Sequence, residues 1–397
     1  MLRRLPTSRL LTLIAVVLAA LCGGTALAFA ALGGSGPTPP PKPLDTAIHD
    51  ALTAPAVDGV TARIRFTNRL IDKSSLGGSS PLLSGATGRL WASNDGRLRL
   101  ELQSDNGDAQ ITSDGKTVTI FDATQNQAYK IALPADSGKA SPSDKQDGPP
   151  TLARIDEFLK NLAGDADVSG AQPSNVAGRE AYTVRISPKH DGGLIGAGEL
   201  AWDAANGIPL RAAVYAAGDP KPVLELEATS ISFGKVADAD LSAPIPTGTK
   251  VSNIDLGSHD AAAQNDRHGA QTPSDPATVA KELSFKLSAP DTLVGLPRKG
   301  VRLITHGDQK GALVTYGAGL GGIAVLQEPA DASASDPTAG KQGDHGLQLP
   351  KVSIGGTDGQ ELATALGTIV RFQRDGVQYT ILGSVPPQAA EAAARAL

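Results

Sequence analysis

Residues 97–103 read RLRLELQ, and the leucines at positions 98, 100 and 102 alternate with charged or polar residues. This period of two is typical of a β-strand that buries one face and exposes the other to water. The run lies between two turn signals, Asn94-Asp95-Gly96 and Asp105-Asn106-Gly107. Because such clusters form the tight turns of hairpins, the stretch predicts a strand with antiparallel neighbours.

The same alternation extends along the chain in both directions from this strand. Similar runs lie at residues 60–67, 89–91, 109–112, 117–121 and 128–133. A second series follows at residues 181–187, 198–203, 210–216, 222–227 and 231–234. Together the runs predict one long, curved antiparallel sheet of roughly ten strands.

Two amphipathic helices are expected beside the sheet. Residues 44–52 and 151–164 both place apolar side chains at helical spacing, and Gly164 is a stop signal for the second helix. The predicted fold class is therefore α+β, a curved antiparallel half-barrel covered by a few helices. The residues expected to form the covering lid are Ile48, Leu52, Ile155, Phe158 and Leu162.

The composition excludes several classes of function. A net charge of -5 gives no basic field for nucleic acid, and an aromatic content of 4% leaves few platforms for base stacking. The single cysteine, Cys22, lies in the N-terminal apolar run. The chain therefore cannot form an internal disulfide, and a catalytic thiol in the folded part is excluded.

The N-terminus indicates export. Arg3, Arg4 and Arg9 precede an apolar run at residues 10–32, and Ala26-Leu27-Ala28 offers the small-x-small pattern of a signal cleavage site. The run is also long enough to span a bilayer, so a cleaved signal peptide and an uncleaved anchor both remain open.

Two further features of this end concern attachment. Leu21 stands before Cys22 where a lipoprotein signal has a small residue, which disfavours lipidation. The following GGSGPTPPPKP, residues 33–43, is interpreted as a tether between the membrane and the folded part.

One motif suggests a nucleotide site and needs its context to be judged. Residues 315–324 read TYGAGLGGIA, in which Gly317, Gly319 and Gly322 have the GxGxxG spacing. A dinucleotide site needs a helix N-terminus after the glycines, because that end binds the pyrophosphate. Residues 323–326 instead read IAVL, which predicts a strand, so the glycines are assigned to a hairpin loop.

No catalytic constellation stands out elsewhere. The histidines are scattered, without an HExxH spacing, at His49, His190, His259, His268, His306 and His345. Asp156 and Glu157 fall on the polar face of their helix, which favours solvated surface over an acid–base pair. Trp202 and Asp203 are interpreted as a core tryptophan beside a turn-capping carboxylate. The sequence predicts no catalytic residue, no metal ligand and no cofactor.

Two segments carry a family resemblance. Residues 175–188, NVAGREAYTVRISP, and residues 198–234 resemble the LolA-like superfamily of exported lipoprotein carriers and sigma-E regulatory proteins of the RseB/MucB type. The resemblance covers about residues 44–245 and implies a half-barrel whose concave apolar face receives acyl chains or a partner peptide. The matching residues are Gly178, Arg179, Tyr182, Trp202, Asp203, Gly207, Pro209, Leu210 and Arg211.

A smaller C-terminal domain is also expected. Short apolar runs at residues 285–287, 302–305, 311–316 and 322–328 precede a hairpin at Asp375-Gly376 and a final helix. This ending resembles the C-terminal domain of the sigma-E regulatory branch and of actinobacterial-type exported regulators. The resemblance implies the regulatory branch, because LolA-type carriers lack such a domain. The predicted division is a signal or anchor with a tether (1–36), the half-barrel (37–256), a polar linker (257–280) and the small domain (281–397).

These features favour a binding protein. Two outcomes remain open for the inward side chains, a cavity for lipid or apolar peptide and a dry core. The resemblance implies a membrane-tethered regulator that senses lipid or acylated lipoprotein and contacts an anti-sigma factor, while a lipid or lipoprotein carrier and an exported enzyme remain alternatives. The candidate lining residues are Ile64, Phe66, Leu98, Leu100, Leu102, Tyr182, Val184, Leu210 and Val214.

Overall fold

A computed structural model describes residues 36–71, 80–132, 151–189, 193–255, 275–306, 309–330 and 350–397. The described chain divides into two compact units. The first holds residues 36–69, 80–189 and 196–255, and the second holds the remainder. The predicted signal or anchor, Cys22, most of the linker, and His190, His259, His268 and His345 lie outside the described residues.

The first unit is built on a 13-stranded sheet in the order β13-β6-β5-β4-β3-β2-β1-β12-β11-β10-β9-β7, with β8 pairing β9. The strands are β1 (Gly59–Asn68), β2 (Ala86–Ser93), β3 (Leu98–Ser104), β4 (Gly107–Ser113), β5 (Thr117–Asp122), β6 (Gln127–Ala132), β7 (Ala166–Val168), β8 (Gln172–Val176), β9 (Arg179–Pro188), β10 (Ile195–Asp203), β11 (Pro209–Ala216), β12 (Pro222–Phe233) and β13 (Lys250–Asp255). Its helices are α1 (Leu44–Thr53), α2 (Pro81–Ser84), α3 (Leu152–Asp165) and α4 (Asp238–Leu241).

This architecture confirms the predicted fold class. The sheet has more strands than expected because short strands β7 and β8 both pair with β9, and β13 pairs with β6 in parallel. The two runs at 222–227 and 231–234 form the single strand β12, whose pairing with β1 shifts register between Arg63 and Ile64. Such an irregularity bends the strand locally and increases its twist.

The N-terminal proline-rich segment is held against the sheet, which corrects the interpretation of residues 36–43 as a tether. The side-chain amide of Asn175 donates to the Pro37 carbonyl at 2.8 Å, and the Tyr182 hydroxyl donates to the Pro40 carbonyl at 2.8 Å. Lys42 pairs with Asp50 of α1. Pro37 and Pro40 lie outside regular secondary structure, so their carbonyls are available to accept these side-chain bonds.

The second unit is an 8-stranded sheet in the order β14-β15-β16-β17-β21-β20-β19-β18. Its strands are β14 (Thr292–Leu293), β15 (Leu296–His306), β16 (Gln309–Tyr316), β17 (Ile323–Pro329), β18 (Lys351–Ile354), β19 (Thr357–Thr364), β20 (Gly367–Arg374) and β21 (Val377–Gly383), with helices α5 (Pro276–Ala280) and α6 (Pro387–Ala396). Three buried alanines of α6 pack into its core, Ala390, Ala393 and Ala394.

Two details of the second unit bear on the sequence predictions. Residues 317–322 connect the antiparallel strands β16 and β17, which confirms the assignment of the GxGxxG motif to a hairpin loop. The short apolar run at residues 285–287 has no regular secondary structure. Phe285 and Leu287 instead pack against the core as a coil, so their apolar character reflects burial without strand pairing.

Candidate ligand-binding face

Cross-strand register brings a continuous set of apolar side chains to one side of the first sheet. The central row joins Ala62, Leu90, Leu100, Ile111 and Ile120 across β1 to β5. Directly opposed residues share a face, so the rows on either side of it extend the same surface. We call the apolar face the side formed by Ile64, Phe66, Leu90, Leu98, Leu100, Leu102, Ile111, Val118, Ile120 and Ile131.

Burial is uneven across the apolar face. Ile64 and Leu102 are 3% and 2% exposed and form a core with Ala109 and Ala228. Leu82 of α2 and Ile208 of the β10–β11 turn pack against this core. Towards β6 the side chains are only half-buried, namely Leu98, Leu100, Ile111, Val118, Ile120 and Ile131. The apolar face is therefore packed at one side and partly accessible at the other.

The structure brings together five of the nine predicted lining residues. Ile64, Phe66, Leu98, Leu100 and Leu102 all lie on the apolar face. Whether they bind a ligand stays a prediction, because shape and register alone do not identify one.

The other four predicted lining residues lie on β9 and β11, and all four are buried. Leu210 belongs to a neighbouring cluster with Ala181 and Ala201. Tyr182 and Val184 form a separate cluster with Trp202 and α1. Because successive side chains of a strand point to opposite faces, Tyr182 cannot share the side of β9 on which Ala181 lies. Val214 is 6% exposed and pairs with Leu224 of β12.

The predicted lid residues differ in their burial. Ile48 of α1 packs in the cluster of Tyr182 and Trp202, and Leu52 is half-buried. Of the predicted face of α3, Ile155 is 5% exposed, Leu162 is half-buried and Phe158 is 63% exposed. The amphipathic pattern of α3 therefore predicts a helix correctly and its degree of burial incorrectly.

A charged cluster that the sequence analysis did not single out lies on β9 to β12. The Arg211 guanidinium contacts Glu199, Glu225 and the Tyr215 hydroxyl, with Nε 2.8 Å from Glu225 Oε1 and Nη2 2.7 Å from Tyr215 Oη. Arg185 completes the cluster, with Nη1 3.3 Å from Glu199 Oε2 and its guanidinium 4.4 Å from the Tyr215 ring centroid. The sequence feature that could have indicated this cluster is the presence of oppositely charged residues on adjacent predicted strands.

Burial and charge together set the ionisation of this cluster. Burial alone would lower the pKa of Arg211, but the charges of Glu199 and Glu225 and the bond with Tyr215 outweigh it and raise that pKa. Burial raises the pKa of Tyr215, and the Glu199 charge raises it further. The phenol therefore stays protonated and Arg211 stays charged, so the contacts form a structural ion-pair network.

Trp202 and Asp203 have the structural roles expected from the sequence. Trp202 is 5% exposed, and its ring centroid lies 6.2 Å from that of Tyr182. Asp203 Oδ1 accepts bonds from the backbone N–H groups of Ala205 and Asn206, and Oδ2 lies 2.7 Å from Arg179 Nε. The hydrogen bond with Asp203 raises the pKa of Arg179. The carboxylate thus caps the β10–β11 turn.

A hollow of about 290 Å³ lies among Arg97, Thr112, Thr119, Asp238 and other residues of the polar side of the sheet. The guanidinium of Arg97 forms ion pairs with Asp95 and Asp238. The volume is at the lower end of the range for small-molecule sites, and the lining mixes Leu241 and Ala243 with charged and hydroxyl side chains, which suits neither an acyl chain nor an apolar peptide.

The carboxylates of Asp156 and Glu157 are exposed on α3, as expected for surface residues.

Within the described ranges no group of three His, Cys, Asp or Glu side chains is placed to hold a metal ion. No helix among these same residues has both the length and the apolar character needed to cross a membrane.

Comparison with known proteins gives structural similarity alone. No family model matches the chain, and no curated protein matches it. It is similar to the crystal structure of MucB in complex with MucA(peri), at 17% identity and a TM-score of 0.38, over 88% of this chain and 94% of that one. The Pseudomonas aeruginosa MucA/MucB complex is 19% identical, with the same coverage and TM-score.

A LolA superfamily protein from Nitrosomonas europaea is 10% identical with a TM-score of 0.21, over 51% of this chain and 98% of that one. The superfamily that the sequence resembles is therefore represented among these solved structures.

Proposed function

We propose that this chain is an exported, membrane-tethered binding protein whose apolar face holds the acyl chains of a lipid or lipoprotein, and whose second unit contacts an anti-sigma factor. The observation that carries the proposal is the uneven burial of the apolar face. Leu102 is 2% exposed, whereas Leu98, Leu100 and Ile120 on the same side are half-buried. A half-buried row of aliphatic side chains on a stable sheet suits a flexible apolar ligand.

The energetics support an acyl ligand. Each methylene removed from water contributes about 0.8 kcal/mol, so burying ten would contribute roughly 8 kcal/mol before the cost of ordering the chain. The ligand would also cover the half-buried leucines and isoleucines, which adds apolar area on the protein side. The required contact is modest in extent and needs no charged group from the protein.

The buried charges of the first unit support binding over catalysis. Arg211, Glu199 and Glu225 are engaged with one another, and burial holds the Tyr215 phenol in its protonated form. The carboxylate of Asp203 is engaged by Arg179 and by its own turn. These groups are therefore committed to stabilising the sheet, and we propose a non-enzymatic role.

A lipid or lipoprotein carrier is the second candidate. The pattern Ala26-Leu27-Ala28 favours signal cleavage, and cleavage would release the chain to diffuse as a carrier must. We favour the regulator because the second unit has a core of its own, from Val279 to Ala394, that a carrier does not need.

Native mass spectrometry of the full chain, purified from its own membrane, tests the ligand. We expect an additional mass of a phospholipid or acylated species on the protein, and its loss in Leu100→Glu. Val251→Glu is the matched control, because Val251 is 46% exposed on β13 and the change should keep the bound mass. A protein free of ligand in all three forms would refute lipid binding.

Membrane fractionation tests the proposed membrane tether, and cross-linking tests the proposed anti-sigma partner. An anchored regulator stays with the membrane after alkaline washing, whereas a carrier is found in the soluble fraction. A photo-cross-linker at Leu382, which is 53% exposed on β21, is expected to capture a membrane anti-sigma factor. A soluble chain without this cross-link would favour the carrier.

A further inference from the structure

Strand β15 forms an open edge of the second sheet. The short strand β14 pairs only with Leu296 and Pro297 of β15. The Arg298 N–H then donates to the Asp291 carbonyl. Along residues 299–305, β15 makes backbone hydrogen bonds with β16 alone among the described residues. Every second residue of an antiparallel strand directs its N–H and C=O away from its partner, so this stretch offers about three residues with unused backbone groups.

A leucine on the core side of this edge is uncovered. Val301 and Leu303 point to the same side of β15, because side chains two apart in a strand share a face. Val301 is 1% exposed within the core of the second unit, whereas Leu303 is 38% exposed. The residue opposite Leu303 on β16 is Ala312, whose side chain is a single methyl group. An additional strand beyond β15 would bring a side chain over Leu303 and continue the core.

The other side of the same edge is positively charged. Arg302 is exposed on β15, and exposed Lys299 lies at the register irregularity that precedes it. The neighbouring Arg298 is paired with Asp291, but neither Lys299 nor Arg302 has an ion pair with any residue that the structure describes. β15 itself contains no acidic residue. Pairing of two copies of β15 would bring these cations together, so the edge suits a strand that carries carboxylates.

We propose that β15 accepts an extended segment of a partner protein as an additional strand, and that this segment alternates apolar with acidic residues. Its apolar residues cover Leu303 and extend the core, and its acidic residues lie beside Arg302. Backbone hydrogen bonds supply the affinity of such strand addition, while the alternating side chains supply its specificity. This mode of binding rests on the proposed contact between the second unit and a partner, whose recognition segment it specifies.

Binding of a synthetic peptide to the full chain tests this edge. The probe is a dye-labelled peptide of alternating valine and glutamate with blocked ends, and its control is the same peptide methylated at every backbone nitrogen. We expect fluorescence anisotropy to show binding of the unmethylated peptide only, because methylation removes the N–H donors. Hydrogen exchange should slow in β15 and stay unchanged in β18, the edge strand at the other end of the sheet.

Charge reversal identifies the side chain that reads the peptide. We expect Arg302→Glu to weaken binding of the valine–glutamate peptide by about tenfold or more, because like charges then face each other. A peptide with lysine in place of glutamate should recover binding to this variant. Lys351→Glu is the matched control, because Lys351 is an exposed cation on edge strand β18 of the same sheet. It should change the affinity by no more than about twofold.

The proposal is overturned if the native chain does not bind the peptide, if both variants weaken binding equally, or if the methylated peptide binds as well. Slow exchange of the β15 amides that depends on protein concentration, without peptide, would assign the edge to a second copy and also overturn it. The photo-cross-link at Leu382 tests the partner contact separately. Peptide binding without that cross-link would retain the strand-accepting edge and refute the anti-sigma contact, whereas the cross-link without peptide binding would do the reverse.

Discussion

Arg211 and Glu225 form an ion pair on the neighbouring strands β11 and β12, with Nε and Oε1 2.8 Å apart and side chains only 12% and 11% exposed. The same guanidinium contacts Glu199, which is 17% exposed, and donates to the Tyr215 hydroxyl. Two carboxylates therefore share the Arg211 cation in a region with little access to water. Glu199 has a second cation in Arg185, whereas Glu225 is ion-paired with Arg211.

We expect Arg211→Met to lower the free energy of unfolding by about 3 kcal/mol, because it leaves the partly buried Glu225 without its cation and Glu199 with Arg185 alone. Urea unfolding of the full chain, followed by the fluorescence of Trp91 and Trp202, measures the change. Arg65→Met is the matched control: Arg65 pairs with Glu227 but is 54% exposed. The control should lose no more than about 1 kcal/mol, and equal losses in the two variants would contradict a special role for the cluster.

Gly207 in the β10–β11 turn is expected to be intolerant of a side chain. Its φ of 72° favours glycine, and an added Cβ would lie 2.4 Å from the carbonyl oxygen of Ala51 in α1. Gly207→Ala should therefore cost the strain of a left-handed residue, roughly 1 kcal/mol, and displace α1 as well.

Gly218 provides the comparison for this prediction. It has a φ of 75°, and nothing lies within 4 Å of its added Cβ. Gly218→Ala should therefore show only the backbone strain in a urea titration. If the two variants lose the same stability, the close approach of α1 to the turn does not contribute.

Strands β3 and β9 show which parts of the fold the sequence could predict and which it could not. The alternation of Leu98, Leu100 and Leu102 is a local property, so it correctly predicted a strand and its buried side. Tyr182 and Val184 show equally good alternation, but which side of a strand joins which cluster depends on register across several strands. The irregularity between Arg63 and Ile64 could not be located from the sequence.

The long-range contacts of single side chains were also beyond prediction. The partners of Arg211 come from two different strands, and nothing in their sequence spacing selects Glu199 and Glu225 among the outward carboxylates. The pattern of α3 predicted an apolar helix side, but amphipathicity states which residues could be buried and does not supply a covering surface. Phe158 is exposed for this reason.

The two parts of the apolar face should respond differently to truncation. Leu102→Ala removes a side chain that is 2% exposed, and we expect it to lower the free energy of unfolding by roughly 2 to 5 kcal/mol. Leu98→Ala removes a half-buried side chain and should cost less stability while weakening lipid retention. Urea unfolding and native mass spectrometry on the same preparations separate the effects. A larger stability loss at Leu98 would show that the face is packed throughout.

Stability of the second unit is expected to depend on Glu361. Its Oε2 is buried and has no hydrogen-bond partner among the described residues. Burial raises the pKa of this carboxyl above its ordinary value of 4.5, and the charge of Glu391 raises it further. Because the folded state holds the proton more tightly, the penalty of ionisation is absent below the ordinary pKa and is complete once the pH has passed the raised value. Stability should therefore fall as the pH rises through this window.

We expect Glu361→Gln to raise the free energy of unfolding near neutral pH and to have little effect at about pH 4, where the native carboxyl is already protonated. Glu282→Gln is the control in the same unit. Its hydrogen bond with Lys310 lowers the pKa of Glu282, so removing the charge should give no gain at neutral pH. Urea titrations at the two pH values decide the matter. A gain for Glu361→Gln that is the same at both would mean that packing of the amide, and not the loss of a buried charge, stabilises the variant.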